Sequence, residues 1–279
     1  MPRKERILLI DADVYAYKAA SAIEVALDWG DNFWTWHCDA NAVQKRVLDM
    51  ISETMDNLKA DDFHLCLTDN DLNWRMDVLP TYKGNRAATK KPLVLKYIKE
   101  WMVEEHEALI RPRLEGDDIM GIFATWDKIE GEKIIVSIDK DMKTIPGLYC
   151  GDALTKKPVI QEITPEEAHK YHMKQTLSGD VTDGYAGCPQ VGLGTAAKVI
   201  EEGILKVPYE HTLLRGQRKG ETEVRYREDH SDDLWACVVS HYEAAGLTEE
   251  DALVQARVAR ILQFPDYDMK KKEVKLWAP

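Results

Sequence analysis

The residues that could do chemistry in this chain are carboxylates, and they come in tight clusters: Asp11 with Asp13, Asp69 with Asp71, Glu115 with Asp117 and Asp118, Asp139 with Asp141, and Asp180 with Asp183. At an effective dielectric of about 20, two unit charges about 4 Å apart repel by roughly 4 kcal/mol. Acids gathered at one place must therefore be protonated or bridged by cations. Hard divalent ions suit an all-oxygen site, and two of them about 4 Å apart can activate a water and stabilise the leaving oxygen of a phosphodiester. A single Asp after a strand is more often a cap or turn former, and "EGDD" (115–118) alone could cap a helix beginning near Asp118. That bland reading does not cover the coincidence of several clusters.

The elements that would position these acids are legible in outline. "RILLID" (6–11), "FHLCLTD" (63–69) and "KIIVSIDKD" (133–141) are apolar runs that each end in carboxylates. Helix-period segments lie between them, around Ala40–Lys59, Pro92–His106 and Asp117–Ile129. Alternation of this kind implies an α/β fold with a mostly parallel central sheet flanked by helices. Ligands of such sheets bind beyond the carboxyl ends of the strands, so all three strands deliver their acids to one edge. Residues 1–165 are expected to form this core. From 166 to 279 a largely helical part is expected, opened by an N-cap Thr164 with Pro165 at the first helical position, with helices near Gly194–Glu202, Asp232–Ala245 and Thr248–Leu262. The segment "PTYKGNRAATKK" (80–91) is basic and turn-rich and reads as an exposed, mobile loop.

The glycine-rich run after Asp180 and Asp183, "GCPQVGLGTAAK" (187–198), pulls toward an anion. "GLGTAA" loosely fits a dinucleotide fingerprint, but no strand precedes it, and the run lacks the Lys-Ser/Thr of a P-loop. A helical hairpin explains more. Gly192 and Gly194 allow close backbone approach, the free N–H groups at Gly194 and Thr195 favour a phosphate, and Lys198 adds a second contact. Such binding positions duplex DNA without reading its sequence. A plain helix–helix turn, or a DNA-structure binder with no catalysis, remains an alternative for this segment. The other alternative is a haloacid-dehalogenase-type phosphatase, because "LLIDADVYA" matches its opening motif with Asp11 as nucleophile; that reading leaves "DKD" and "GDVTDG" without a job. His169 and His172, three apart on one predicted helix, read as a solvated face.

Composition sets the outer bounds. With 44% hydrophobic and 31% charged residues in 279, the chain is an ordinary globular protein with no apolar run of membrane-spanning length. Asp11 and Asp13 interrupt the N-terminal apolar run too early for a signal peptide. Five cysteines without a C-x-x-C pair argue for free thiols in a reducing cytoplasm. The net charge of −12 does not exclude nucleic acid, since basic residues cluster apart from the acids, from Arg75 to Lys99 and at Lys270–Lys272.

In these segments the chain resembles the flap-endonuclease/5′→3′ exonuclease family, in particular the short exonucleases of T7-like bacteriophages. The matching stretches are "LLIDAD", "LCLTDNDLNWRMDVLPTYKGNR", "EGDDIMG", "VSIDKDMKTIPG" and "SGDVTDGYAGCPQVGLGTAAKVI", in family order from Ile7 to Ile200. The resemblance implies a PIN-like nuclease core with a helix-three-turn-helix element at 187–198 in the helical C-terminal part. It implies one Mg²⁺ or Mn²⁺ ion around Asp11, Asp69, Glu115 and Asp117, and a second involving Asp118, Asp139, Asp141, Asp180 and Asp183. Lys83 and Arg86 match basic residues that reach the scissile phosphate from an arch, and Arg75 matches a DNA-backbone contact. A K⁺ ion at the helical turn is part of the pattern in some relatives, although Gln190 stands here where many have glycine. The implied protein is a monomer that degrades double-stranded DNA from 5′ ends, cuts 5′ flaps and removes RNA from RNA–DNA hybrids in phage replication, with a replication partner left unidentified. Asp13 and Asp71 have no assigned role.

Overall fold

Ile7, Leu8, Leu9 and Ile10 follow one another without polar alternation, which requires cover on both faces of their strand. In the computed structural model, which describes residues 4–86 and 90–279 and of Arg86 only the backbone, they form β1 (Arg6–Asp11) and are buried to within a few per cent. The chain continues as α1 (Ala12–Ile23), a hairpin of β2 (Val25–Asp28) and β3 (Trp34–His37), α2 (Ala40–Leu58), β4 (Asp62–Cys66), the short α3 (Arg75–Val78), α4 (Leu95–His106), α5 (Gly116–Thr125), β5 (Glu132–Val136), β6 (Gly147–Cys150) and β7 (Ile160–Ile163). The main sheet has the order β4-β1-β5-β6-β7. β1 is parallel to β4 and β5, β5 is parallel to β6, and only β7 runs antiparallel.

Two compact units emerge. The first comprises Met1–Trp74, Ala87–Ala168 and Ile261–Lys275. Ala16, Ala19 and Ala20 of α1 are fully buried, and their small side chains let the helix lie close among β1, α2 and α4, where Val43, Val47, Met50, Ile98 and Met102 complete the core. The second unit comprises Arg75–Arg86, His169–Arg260 and Leu276–Pro279. The division falls inside α6 (Pro165–Ser178), whose start is capped reciprocally by Thr164 and Glu167, as expected. After α6 come α7 (Leu193–Glu202), β8 (Ile204–Thr212), β9 (Thr222–His230), α8 (Leu234–Ala244) and α9 (Glu249–Ala259), with the small β10 (Tyr267–Asp268) and β11 (Glu273–Val274) closing the first unit. Met173, Leu177, Ala196, Val199, Ile200, Cys237, Val238 and Tyr242 make the second core.

Two expectations change here. The C-terminal part is not simply helical, because β8 and β9 form a nine-residue antiparallel ribbon. Its strands carry Pro208 and closely spaced charges in place of clean alternation, which hid them. His172 is not on a solvated face: it is fully buried, with Nε2 on the Ala256 carbonyl at 2.8 Å and Trp277 edge-on at 5.0 Å. Among the described residues no helix is long and apolar enough to cross a membrane.

Candidate active site

The first unit builds its site where β1 ends. Asp11 is the last residue of β1 and the N-cap of α1, so one residue both closes the strand and accepts from the Val14 N–H at 3.1 Å. Its other oxygen accepts from Ser137 Oγ at 2.7 Å, and that hydroxyl accepts in turn from the Asp139 N–H at 3.1 Å. Asp139 caps a 3-10 turn by accepting from the Asp141 N–H at 2.9 Å. Asp11 is 5% exposed. Burial is the largest cause that pushes its carboxyl up to about 6, and the charges of Asp13 and Asp139 add to it, against the Ser137 and Val14 hydrogen bonds. Asp11 therefore feels the charges of Asp13 and Asp139 at the carboxyl edge of the sheet.

Asp13 now has a function in the architecture. It accepts from the Thr68 N–H at 2.9 Å and pairs with Lys99 of α4, while Thr68 Oγ1 accepts from the Gly116 N–H at 3.0 Å. These contacts pin the exit of β4 and the start of α5 to the start of α1. A Cβ at Gly116 would meet Cys66 O at 3.1 Å and Asp13 Oδ2 at 3.3 Å, so the glycine of "EGDD" makes room for this junction. Asp117, in the first turn of α5, faces the same neighbourhood. Burial first, and then the charges of Asp11, Asp117 and Asp13, push the Cys66 thiol up. Glu115 is buried as the N-cap of α5 in a reciprocal capping box with Asp118.

Three of the expected site residues are otherwise employed. Asp118 is fully buried; Oδ2 accepts from Trp74 Nε1 at 2.9 Å and Oδ1 from the Leu262 N–H at 3.1 Å, so both of its oxygens are engaged in holding the fold. Arg75 is 2% exposed, and its guanidinium donates to the carbonyls of Val258 at 2.9 Å and Arg260 at 2.7 Å. A planar fork engaged by these two carbonyls is placed as a structural group, which does not favour the DNA-backbone contact expected for it. Asp69 remains partly accessible, but its oxygens accept from the Asp71 N–H at 3.0 Å and the Arg113 N–H at 2.7 Å. Asp69 and Asp71 line a cleft of about 610 Å³ together with Lys96 and Lys99.

In the second unit, Lys83 is not at the tip of a free loop. Its N–H donates to Asp183 O at 2.8 Å, its ammonium is 3.7 Å from Asp183 Oδ2, and Tyr82, 5% exposed, donates its hydroxyl to the same carboxylate at 3.1 Å. Asn85 adds a bond to Val181 O at 2.9 Å. The first half of the expected mobile loop is thus clasped to the "DVTD" turn, where Asp180 accepts from the Thr182 N–H at 2.7 Å. The side chain of Arg86 and residues 87–89 lie outside the described residues.

Four glycines of the 179–194 run fall into two kinds. Gly179 and Gly187 have φ of 65° and 68°, and a Cβ on either would come within 2.6 Å of the other's backbone or its neighbours. Folding requires these two. Gly192 and Gly194 have ordinary φ and nothing within 4 Å of an added Cβ. With Thr195 and Lys198 they form one exposed patch at the start of α7. Gln190 has φ 65°, the region that favours glycine.

Among the described residues no three His, Cys, Asp or Glu side chains converge as a finished metal cage. The donor set nonetheless suits a hard divalent ion, because the acids at the β1 edge are all oxygen donors, and the burial and repulsion that disfavour the Asp11 carboxylate would be offset by a cation. Residues 6–156 match the family model for the N-terminal resolvase-like domain of 5′-3′ exonucleases. The chain belongs to this 5′-3′ exonuclease family. Among family relatives, the exodeoxyribonuclease of Enterobacteria phage T3 is 36% identical over 98% of this chain and 93% of its own length. The exonuclease of Escherichia phage T7 is 35% identical over the same shares. The fold is shared with the T5 D15 protein co-crystallised with metal ions, at 12% identity and a TM-score of 0.55 over 91% of this chain and 93% of that one. It is shared also with the T5 5′-exonuclease with divalent zinc ions bound, at 14% identity and a TM-score of 0.52, over 71% of this chain and 76% of that one. Membership of this family displaces the dehalogenase-type reading of the Asp11-x-Asp13 pattern.

The sequence missed Ser137, Thr68 and Lys99. Ser137 lies 126 residues from Asp11, and nothing local marks a hydroxyl in "VSID" as the partner of a distant carboxylate. Lys99 enters the sequence reading only as the end of the basic stretch that starts at Arg75.

Proposed function

We propose that this protein is a divalent-metal-dependent 5′→3′ exonuclease that hydrolyses phosphodiesters of double-stranded DNA. The observation that carries the reading is the buried Asp11, held between Ser137 and the Val14 N–H and repelled by Asp13 and Asp139, at the sheet edge of a chain from a nuclease family. Asp11, Glu115, Asp117, Asp139 and Asp141 would hold Mg²⁺ or Mn²⁺, with Asp69 at the rim. Such an ion would supply Lewis acidity for activating water and offsetting charge on the phosphoryl and leaving oxygens.

The chain's own residues do the rest. Ser137 fixes the orientation of Asp11 and, through Asp139 N, the turn that carries Asp139 and Asp141. Lys99 pairs with Asp13 and so tempers, without removing, its repulsion of Asp11. Lys83, held against Asp183 and 5.0 Å from the centre of the Tyr82 ring, is kept in place as a cation for a phosphate oxygen. The exposed start of α7 takes a phosphate of the duplex backbone through its free N–H groups, with Lys198 beside it. Cutting of 5′ flaps and removal of RNA from RNA–DNA hybrids, in phage DNA replication and host DNA degradation, belong to the same proposal.

The test uses a duplex labelled separately at its 5′ and 3′ ends, with Mg²⁺ and with EDTA. Short products released from the 5′ end in Mg²⁺ alone support the reading. Release from the 3′ end, or cleavage that persists in EDTA, overturns it.

A further inference from the structure

The β8–β9 ribbon takes no part in the chemistry above, yet it is built to a definite plan. Each strand is nine residues, about 30 Å of ribbon at about 3.3 Å per residue. Its root is fixed to α7. Gly203, the C-cap of that helix with φ 61°, accepts from the Ser231 N–H at 2.8 Å, and a Cβ there would lie 2.3 Å from Ser231 O. His230 bonds to the Glu202 carbonyl at 2.9 Å. The root of the ribbon is therefore anchored to the helix whose first turn is proposed to hold a DNA phosphate.

Pairing sorts its side chains. One face carries Pro208, Glu210, Val224 and Tyr226, and Tyr226 donates to the Glu243 carbonyl of α8 at 3.2 Å. The opposite face pairs Val207 with Arg227 and Tyr209 with Arg225. At the far end lies "LLRGQRKG" (213–220), with Arg215, Arg218 and Lys219 and no carboxylate. This tip is folded: Leu213 N donates to Glu221 O and Gly220 N to Leu213 O, both at 2.9 Å, with Gly216 and Gly220 at φ 85° and 92°. Arg218 leans on Glu221 at 2.6 Å, and Arg225 on Glu223. Arg215, Lys219 and Arg227 make no ion pair among the described residues. In a chain of net charge −12, a folded tip on which Arg215 and Lys219 make no ion pair among the described residues, beside an Arg218 shared with Glu221 and Glu223, suits a polyanion.

We propose that the ribbon is an arm whose tip, through Arg215, Arg218 and Lys219, binds phosphates of the duplex at a distance from the α7 contact. About 30 Å corresponds to roughly nine base pairs at 3.4 Å each. The arm thus gives the enzyme a grip that only a long enough duplex can fill. This inference rests on the nuclease reading for its substrate.

The test measures duplex affinity in Ca²⁺ or EDTA as a function of duplex length and salt. It compares wild type, R215A/R218A/K219A, and a second variant in which residues 213–221 are replaced by Asn-Gly, which closes the ribbon as a tight hairpin. Wild type is expected to gain affinity as the duplex lengthens from about 10 to about 25 base pairs, and both variants to lose that gain, by about tenfold near 0.1 M salt. For the triple variant the slope of log affinity against log salt should fall by about 2 to 3, since each phosphate contact contributes about 0.9. Unchanged length and salt dependence in both folded variants overturns the arm, as does an equal loss on short and long duplexes. Wild type that binds by length but cleaves nothing in Mg²⁺ would instead overturn the nuclease reading and leave the arm standing.

Discussion

Ser137 Oγ donates to Asp11 Oδ2 at 2.7 Å, joining the end of β1 to the loop after β5 across 126 residues of sequence. The same oxygen accepts from Asp139 N–H, so one hydroxyl sets the positions of two carboxylates. Ser137→Ala should cost about 1–2 kcal/mol of stability. It should also raise the Asp11 carboxyl further, since the hydroxyl is what lowers it most. The acidic limb of the cleavage profile is then expected to move to higher pH, with Ser137→Thr restoring it. An unshifted limb would assign Ser137 to packing alone.

Asp11 and His172 give the metal-free protein two opposed pH dependences. The Asp11 carboxyl is raised from 3.8 to about 6, chiefly by burial, so the folded state keeps a proton that the unfolded chain releases. Stability from this group is present below pH 4 and lost as pH rises to about 6, by at most about 3 kcal/mol. His172 is lowered from 6.5 to about 3, again chiefly by burial. Its contribution is complete above pH 6.5 and is lost as pH falls toward 3. Melting in EDTA should show both slopes. Asp11→Asn should remove the first and melt higher than wild type at pH 7, and His172→Asn should flatten the second.

Arg75 and Asp118 are expected to behave as structural groups. Arg75→Lys cannot bond both the Val258 and Arg260 carbonyls and should destabilise by about 2–4 kcal/mol. It should leave the salt dependence of duplex binding as in wild type. A lower salt slope with an unchanged melting temperature would return Arg75 to the DNA interface.

The two kinds of glycine should separate cleanly. Gly187→Ala forces a Cβ to 2.3 Å from Gly179 N and should prevent stable folding or cost several kcal/mol. Gly194→Ala lies in open space inside α7 and should gain about 0.5–1 kcal/mol from helix propensity while weakening duplex binding. A Gly194→Ala protein that binds duplex as tightly as wild type would mean that nothing approaches this turn.

What the sequence revealed was the part written locally. The buried run of β1, the acid that ends it, the Thr164 cap and the alternation of strands with helices depend on neighbours within a few residues, and the structure has them as read. Burial was invisible where it overrides type. Asp118 and Arg75 look like ligands and contacts because they are charged, and only tertiary packing shows their charge turned onto Trp74, Leu262 and two carbonyls of 258–260. The contacts of Ser137 with Asp11 and of Lys99 with Asp13 span long sequence separations and leave no local trace.

The most direct measurement is Mn²⁺ binding to wild type and Asp11→Asn, by calorimetry with melting temperature as a parallel readout at pH 7.5. Wild type should bind and be stabilised, whereas Asp11→Asn should melt higher without metal, bind at least about tenfold more weakly and gain little on addition of Mn²⁺. Equal binding and equal stabilisation in both proteins would contradict a metal centre built on Asp11, and with it the proposed chemistry.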